Sequence, residues 1–424
     1  MTMLLTEYRL ELTIQALRTV LPLKHPADAA LRHFFKAEHL GSRERALVAE
    51  TVFGVLRHRL LLEYACQPTA SARTTPRRLA LAYWIRFGGY NLRELEPLLK
   101  KDEVAWLGQI KGIDLAALPL PLQAELPEWI VEKLRATMND EEILALGRAM
   151  QQPAPLDLRV NTWLTAREEV LRQFASDGIE ATATPWSPIG VRLRGKPALN
   201  KHQLFLSGKV EVQDEGSQLL GFLLAPKRHD MVVDFCAGAG GKALMLGAMM
   251  NSQGRLYAFD ISEKRLTNLK PRLKRSGLSN LHPQLIAHEN DQKVKRLAGK
   301  IDRVLVDAPC SGLGTLRRNP DLKFRQSPQS IEELTQKQAA ILSAASKLLK
   351  PGGRLVYATC SPLPQENRAI VDAFLGAHPD FSLRPANEIL ARQLIALDTG
   401  EYLQLLPQLH STDGFFAAVL ERNA

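Results

Sequence analysis

The sequence predicts an α/β protein: a doubly wound, mostly parallel sheet over residues 226–424, an all-helical region over 1–135, and a small α+β module over 136–225 between them. Three observations predict it. Strand-like and helix-like runs alternate through the last segment, as they do where helices cover both faces of a parallel sheet. In the first segment apolar residues recur at three- and four-residue spacing, with no strand pattern. The middle segment carries short β-like runs around a single helical one.

Composition supports a folded, multidomain chain. The 424 residues suggest several domains at roughly 100–200 residues each. Hydrophobic residues at 45% and charged residues at 24% exclude a disordered or collagen-like chain. No apolar run approaches the roughly 18 residues of a membrane span, and Gly221 interrupts the run at 219–226. The start, MTMLLTEYRLELTIQAL, carries acidic residues where a secretory signal needs a basic one, so a cytoplasmic location is expected. Four cysteines (Cys66, Cys236, Cys310 and Cys360) form no CxxC pair, which argues against a disulfide framework or zinc. Reduced thiols leave room for a nucleophile. The net charge of +10 favours a polyanionic partner.

Taken in order, LELTIQALRTVL and ERALVAETVFGVLRHRLLLEYA read as helices, with breaks at LPLKHPAD, CQPTASARTTPRR and LPLPLQAELPEW. Arg57, His58 and Arg59 on one helix, with Arg73, Arg77 and Arg78 near the next loop, form either a phosphate-tracking surface or a solvated face. LDLRVNTW, GIEATATPW and GVRLRG read as strands around the helical TAREEVLRQFASDG, and KVEVQDEGSQLLGFLLAP leads into the last segment. There the strand candidates are MVVDFCA, RLYAFD, PQLIAHE, IDRVLVDAP, RLVYATCS and GFFAAVLER. The helix EELTQKQAAILSAASKLLK is expected to stop at Pro351-Gly352-Gly353.

Chemistry gathers at strand ends. After MVVD the turn runs Cys236, Ala237, Gly238, Ala239, Gly240, Gly241, Lys242 and enters a helix. Glycines there let a ligand approach the backbone, and a helix start offers unpaired N–H groups. Asp260 closes the next strand, at the spacing expected of a carboxylate that accepts from ribose hydroxyls, so a nucleoside cofactor is implied. The turn is not the GxGxxG of NAD enzymes. Cys236 reads as a small buried hydrophobe within the turn, and Lys242 as either a helix-start residue or a site residue. Asp307 and Cys310 end the strand IDRVLVD, and Cys360 ends RLVYAT, so all three would face the cleft.

DFCAGAGGK, DAPCSG and ATCS, in this order, resemble the RNA 5-methylcytosine methyltransferases of the RsmB/Nop2/Sun family. VQDEGSQ, RRNPD, LKPGG and TDGFFAAVL are similar to family segments, and ADAALRHFF…RERALVAETVFGVLRHRLLLEY is similar to the NusB-like domain of the RsmB type. The resemblance implies a Rossmann-like class I methyltransferase sheet, S-adenosyl-L-methionine as cofactor and small-subunit (16S) ribosomal RNA as partner. It further implies that Cys360 adds to cytosine carbon 6 and that Cys310 assists loss of the carbon 5 proton. Such covalent addition divides one hard step into easier ones. Asp307 would bond either the cytosine ring or the reactive end of the cofactor. Arg317, Arg318 and Lys323 would hold RNA phosphates or lie on a solvated loop.

Two departures stand out. CAGAGGK replaces the usual CAAPGGK, so Ala239 stands where proline is expected, and the third strand is followed by His288-Glu289-Asn290-Asp291, where Glu289 or Asn290 would take the adenosine-side role. A catalytically weak RNA-binding assembly factor is the alternative class, which the presence of both cysteines opposes. An amino-methyltransferase needs no thiol, and a DNA cytosine methyltransferase would lack the second cysteine.

Overall fold

The computed structural model describes residues 3–67, 74–195 and 197–424, in two units: Met1–Pro153 with Thr315–Pro328, and Ala154–Gly314 with Gln329–Ala424. Arg73 lies outside the described residues.

The first unit is helical. Thr6 accepts from the Arg9 N–H at 3.3 Å and starts the helix Glu7–Val20, whose Leu10, Leu17 and Val20 enter the core. Val52 and Leu56 from Ser42–Arg57 and Trp84 from Pro76–Arg86 meet them there. The Trp84 indole donates to Thr51 Oγ1 at 2.9 Å, satisfying two buried polar groups together. The run at 44–65 is two helices, Ser42–Arg57 and Arg59–Cys66, broken at His58 (φ −109°, ψ 26°). Tertiary contacts override the helical periodicity at this point. The His58 ring stacks on Phe87 at 3.8 Å, and the Glu125 carboxylate accepts from the Leu60 and Leu61 N–H groups at 3.1 and 3.0 Å.

The same contacts correct the phosphate-tracking expectation. Arg57 donates to Arg317 O at 3.2 Å, Arg59 pairs with Glu63 at 2.7 Å and Arg77 with Glu103 at 2.9 Å. Arg78 donates to Cys66 O at 3.2 Å and covers the Trp106 ring, while burial, helped by Lys323 and Arg57, holds the His58 pKa down to about 3. These arginines are engaged by carbonyls and carboxylates of their own unit. Lys323 is also internal. Its Nζ donates to Arg57 O at 2.9 Å and Glu125 O at 2.7 Å.

Among the described residues, the second unit contains twelve strands: β1 Leu156–Val160, β2 Ala181–Ala183, β3 Gly190–Leu193, β4 Val210–Val212, β5 Met231–Asp234, β6 Arg255–Asp260, β7 Leu281–Leu285, β8 Ile301–Asp307, β9 Leu349–Thr359, β10 Phe381–Arg384, β11 Leu403–Leu405 and β12 Phe415–Arg422. β2-β3-β1-β4 form a small antiparallel sheet. The large sheet runs β10-β12-β9-β8-β5-β6-β7, with β11 paired to β12. Strands β7-β6-β5-β8-β9 are parallel, and β12 is antiparallel to β9. This is the Rossmann-like sheet of class I methyltransferases. Val232, Val233, Val304, Leu305 and Val356 are fully buried, which fits strands covered on both faces. Strand order reverses between β5 and β8, and the crevice opens at the carboxyl ends of the strands there.

Two local expectations differ from what forms. The helix that was to stop at Pro351-Gly352-Gly353 ends at Ser346, and residues 349–353 already belong to β9, where Leu349 pairs with Ile301. β7 takes LHPQL rather than PQLIAHE, because Leu281 pairs in register with Leu256. Among the described residues, no helix is long and apolar enough to cross a membrane.

Candidate active site

The turn after β5 is built by two left-handed glycines. Gly238 has φ +58° and Gly240 φ +81°; a Cβ on Gly240 would also lie 2.1 Å from Leu269. Asp260, at the end of β6, accepts from Gly238 N–H at 2.8 Å and from Ser262 N–H at 2.7 Å. Ala237 N–H bonds Phe259 O at 2.8 Å, so β6 fixes the turn from one side. Beyond Gly240 the helix Gly241–Met249 begins.

Two cavities meet at Cys236. The larger, about 500 Å³, is lined by Phe235, Asp260, Ile261, Ile286, Glu289 and Pro309 among others, a size and character suited to a nucleoside. Ile261 is 54% exposed, an apolar side chain left open on the wall. Glu289 lines this cavity. Asn290 does not, and its amide donates to Glu289 Oε1 at 3.0 Å, so of the two the geometry favours Glu289. The smaller cavity, about 110 Å³, is lined by Gln213, Ser217, Asp234, Ala237, Gly241, Lys242 and Asp307. Gly238, Ala239 and Gly240 shape the turn without lining either cavity.

Lys242 Nζ lies 2.5 Å from Asp307 Oδ2. Burial opposes the ammonium charge, but Asp307 and Asp234 outweigh it and hold the Lys242 pKa above its usual value. Asp234 is 1% exposed, and neither carboxylate oxygen meets a donor in good hydrogen-bond geometry. Burial raises its pKa to about 7 and Asp307 adds to this, while Lys242 and the Cys236 N–H offset part. Burial likewise pushes the Cys236 thiol well up, in keeping with a packed, neutral side chain.

Cys310 Sγ and Cys360 Sγ are 3.4 Å apart, and Cys360 N–H points at Cys310 Sγ at 3.3 Å. The Cys360 contact and burial together raise the Cys310 pKa well above the ordinary thiol value. Sequence reasoning missed what joins the two loops. Glu366, fully buried, accepts from Ser311 N–H at 2.8 Å and Ser311 Oγ at 2.6 Å, from Ser361 Oγ, and from Gln338 Nε2 at 3.0 Å. One carboxylate thus fixes the neighbours of both cysteines. Its only signal in the sequence was an acidic residue six positions after Cys360.

Comparison with known proteins places the chain in a family. Residues 221–421 match the family described as 16S rRNA methyltransferase RsmB/F, and residues 126–200 match its ferredoxin-like domain. The chain is 31% identical to the probable ribosomal RNA small subunit methyltransferase B of Synechocystis sp., over 93% of this chain and 95% of that one. The chain belongs to the RsmB/F family. It is an S-adenosylmethionine-dependent rRNA methyltransferase. Within the family, the probable methyltransferase B of Bacillus subtilis is 28% identical over 93% of this chain and 94% of that one. Among solved structures, the protein PH0851 aligns over the whole of both chains with a TM-score of 0.80 and 25% identity.

The residues fit the cofactor. Asp234, Asp260, Asp307 and Glu289 set four carboxylates against Lys242, Lys337 and Arg265 around the two cavities, an acidic balance that suits a ligand carrying sulfonium and ammonium charges. The orphaned Asp234 carboxylate would accept from the ligand's ammonium group. Its raised pKa means a stabilising contribution complete below the ordinary carboxylate range and lost as pH rises through about 7. Asp234→Asn is therefore expected to melt higher than wild type without cofactor, by an amount that widens from pH 5 to pH 7, and to bind S-adenosylmethionine more weakly. Thermal melts across that range, with calorimetric binding, check both. A wild type more stable than the variant at pH 8 would overturn this reading.

Proposed function

We propose that the protein methylates carbon 5 of cytosine in small-subunit ribosomal RNA, with Cys360 as nucleophile. The observation that carries the reading is the pair of sulfurs 3.4 Å apart at the ends of β8 and β9, beside the Asp307–Lys242 pair. Burial and the Cys360 contact raise the Cys310 pKa, which suits Cys310 to the later, proton-handling role and leaves the nucleophilic role to Cys360. The Cys360 thiolate forms a bond to carbon 6, and the ring's electron pair moves to carbon 5, which becomes enamine-like. Bound S-adenosylmethionine supplies an electrophilic methyl group at this point. With Cys360 bonded, the contact that most raises the Cys310 pKa is gone, so Cys310 can give its proton to solvent and, as the thiolate, accept the one on carbon 5. The C–S bond then breaks and restores the ring. Asp307 and Lys242 offer an acceptor and a donor matched to the base's polar edge, as expected for a base taken out of its stack. The small-subunit target rests on the names of the relatives, and the +10 charge is consistent with it.

Undermodified small-subunit RNA carrying tritium at cytosine carbon 5 tests the reading. Tritium released to water should match methyl groups incorporated, one for one. Methyl incorporation without release moves the chemistry off carbon 5. No incorporation into any RNA that the protein binds favours an assembly factor.

A further inference from the structure

The turn between Cys236 and Lys242, whose two ends line the cavities, contains two left-handed glycines and no proline, so its own covalent structure does little to fix it. Besides Asp260 of β6, side chains from two further elements hold it. Arg272, on the helix Glu263–Ser276, donates through Nη1 to Ala239 O at 2.6 Å. Arg159, on β1 and 2% exposed, donates through Nη1 to Gly241 O at 2.6 Å and to Gln213 Oε1 at 2.9 Å. Both arginines are supported from β4. Glu211 opposes Arg159 in the β1–β4 ladder and accepts from Arg272 Nε and Nη2 at 3.2 and 2.9 Å. Arg275 donates to the same carboxylate and lies 4.4 Å over the Phe205 ring. Glu211 is itself buried, so the guanidinium of Arg272 is oriented on one side by a carboxylate it shares with Arg275 while it holds the turn on the other. A trans peptide directs its C=O and N–H oppositely. A guanidinium on Gly241 O therefore turns the Lys242 N–H the other way.

We propose that Arg272 and Arg159 are positioning residues for the methyl donor. They pin the backbone at 239 and 241 from outside, in place of the ring that the usual CAAPGGK turn carries at position 239. The small sheet is then more than a neighbour of the donor site. Through Arg159 and Glu211 it sets the shape of that site. The proposal concerns donor binding and holds whichever base is methylated.

Arg272→Ala, titrated with S-adenosylmethionine by calorimetry, tests it. If the released turn keeps its binding shape about one tenth of the time, Kd for the donor rises about tenfold. In kinetics, KM for the donor rises while kcat at saturation and RNA affinity hold. Adding Ala239→Pro to Arg272→Ala should return most of the lost affinity, which a merely structural role for Arg272 does not predict. An unchanged donor Kd in folded Arg272→Ala overturns the proposal, as does a loss that Ala239→Pro leaves untouched. Should Arg272→Ala fail to fold, Ala239→Pro alone still decides. Donor affinity within twofold of wild type means the turn is already held, and a tenfold tightening means it is not.

Discussion

Cys360→Ala should abolish methyl transfer, by roughly 10³-fold or more, whereas Cys310→Ala should leave protein joined to RNA. The two losses differ because the two sulfurs act at opposite ends of the reaction. Without Cys360 no bond forms to carbon 6, carbon 5 stays a poor nucleophile, and nothing accumulates. Without Cys310 the addition and the methyl transfer proceed, but the carbon 5 proton has no acceptor and the C–S bond cannot break. The product is an adduct that survives denaturing electrophoresis and carries label from the methyl donor. Both variants should fold, since each change removes one sulfur from a half-buried position. Donor affinity, measured beside activity, should stay near wild type in both. An adduct in Cys360→Ala but not in Cys310→Ala would exchange the two roles. Full activity in Cys360→Ala would remove covalent catalysis altogether.

Strand ends are where the sequence speaks most clearly. DFCAGAGGK, Asp260, DAPC and ATCS each close an apolar run, and a parallel sheet brings its carboxyl ends to one edge, so local patterns imply that Asp307, Cys310 and Cys360 share a cleft, while the Asp307–Lys242 pair emerges only in the fold. What the sequence hides is whatever depends on contact between distant segments. Glu366 looks like a helix-start acid until Ser311, some fifty residues earlier, is seen to donate to it. Arg159 and Arg272 lie in ordinary strand and helix patterns, and only the folded unit brings their guanidiniums to Gly241 O and Ala239 O respectively. Glu289 and Asn290 are adjacent, so no periodicity could say which one faces the cavity. His58 sits inside an unbroken helical pattern, and its break is paid for by Glu125, far along the chain.

Lys323 shows how far a charge can be misread from its position alone. Just beyond the DAPC loop in a basic chain, it looks like a phosphate ligand; in the fold it is 4% exposed and 3.4 Å from Glu125 Oε2, whose side chain is 3% exposed. Burial pushes the Glu125 pKa up and the Lys323 pKa down, and each partner's charge offsets part of the other's shift. A buried pair of this kind is costly to break, because the survivor is left charged and dry. Lys323→Met should therefore destabilise the helical unit by about 3–5 kcal/mol. Amide exchange should speed most in Arg59–Cys66, whose first N–H groups depend on Glu125. Adding Glu125→Gln should recover much of the loss, since an amide oxygen can still accept from Leu60 and Leu61 N–H while no charge remains buried. A surface phosphate contact predicts the opposite pattern: stability within about 0.5 kcal/mol of wild type, and an RNA-binding salt slope smaller by about one. Denaturant unfolding and RNA titration at several salt concentrations, run on the same variant, separate the two, and the buried geometry requires the first to move and the second to stay.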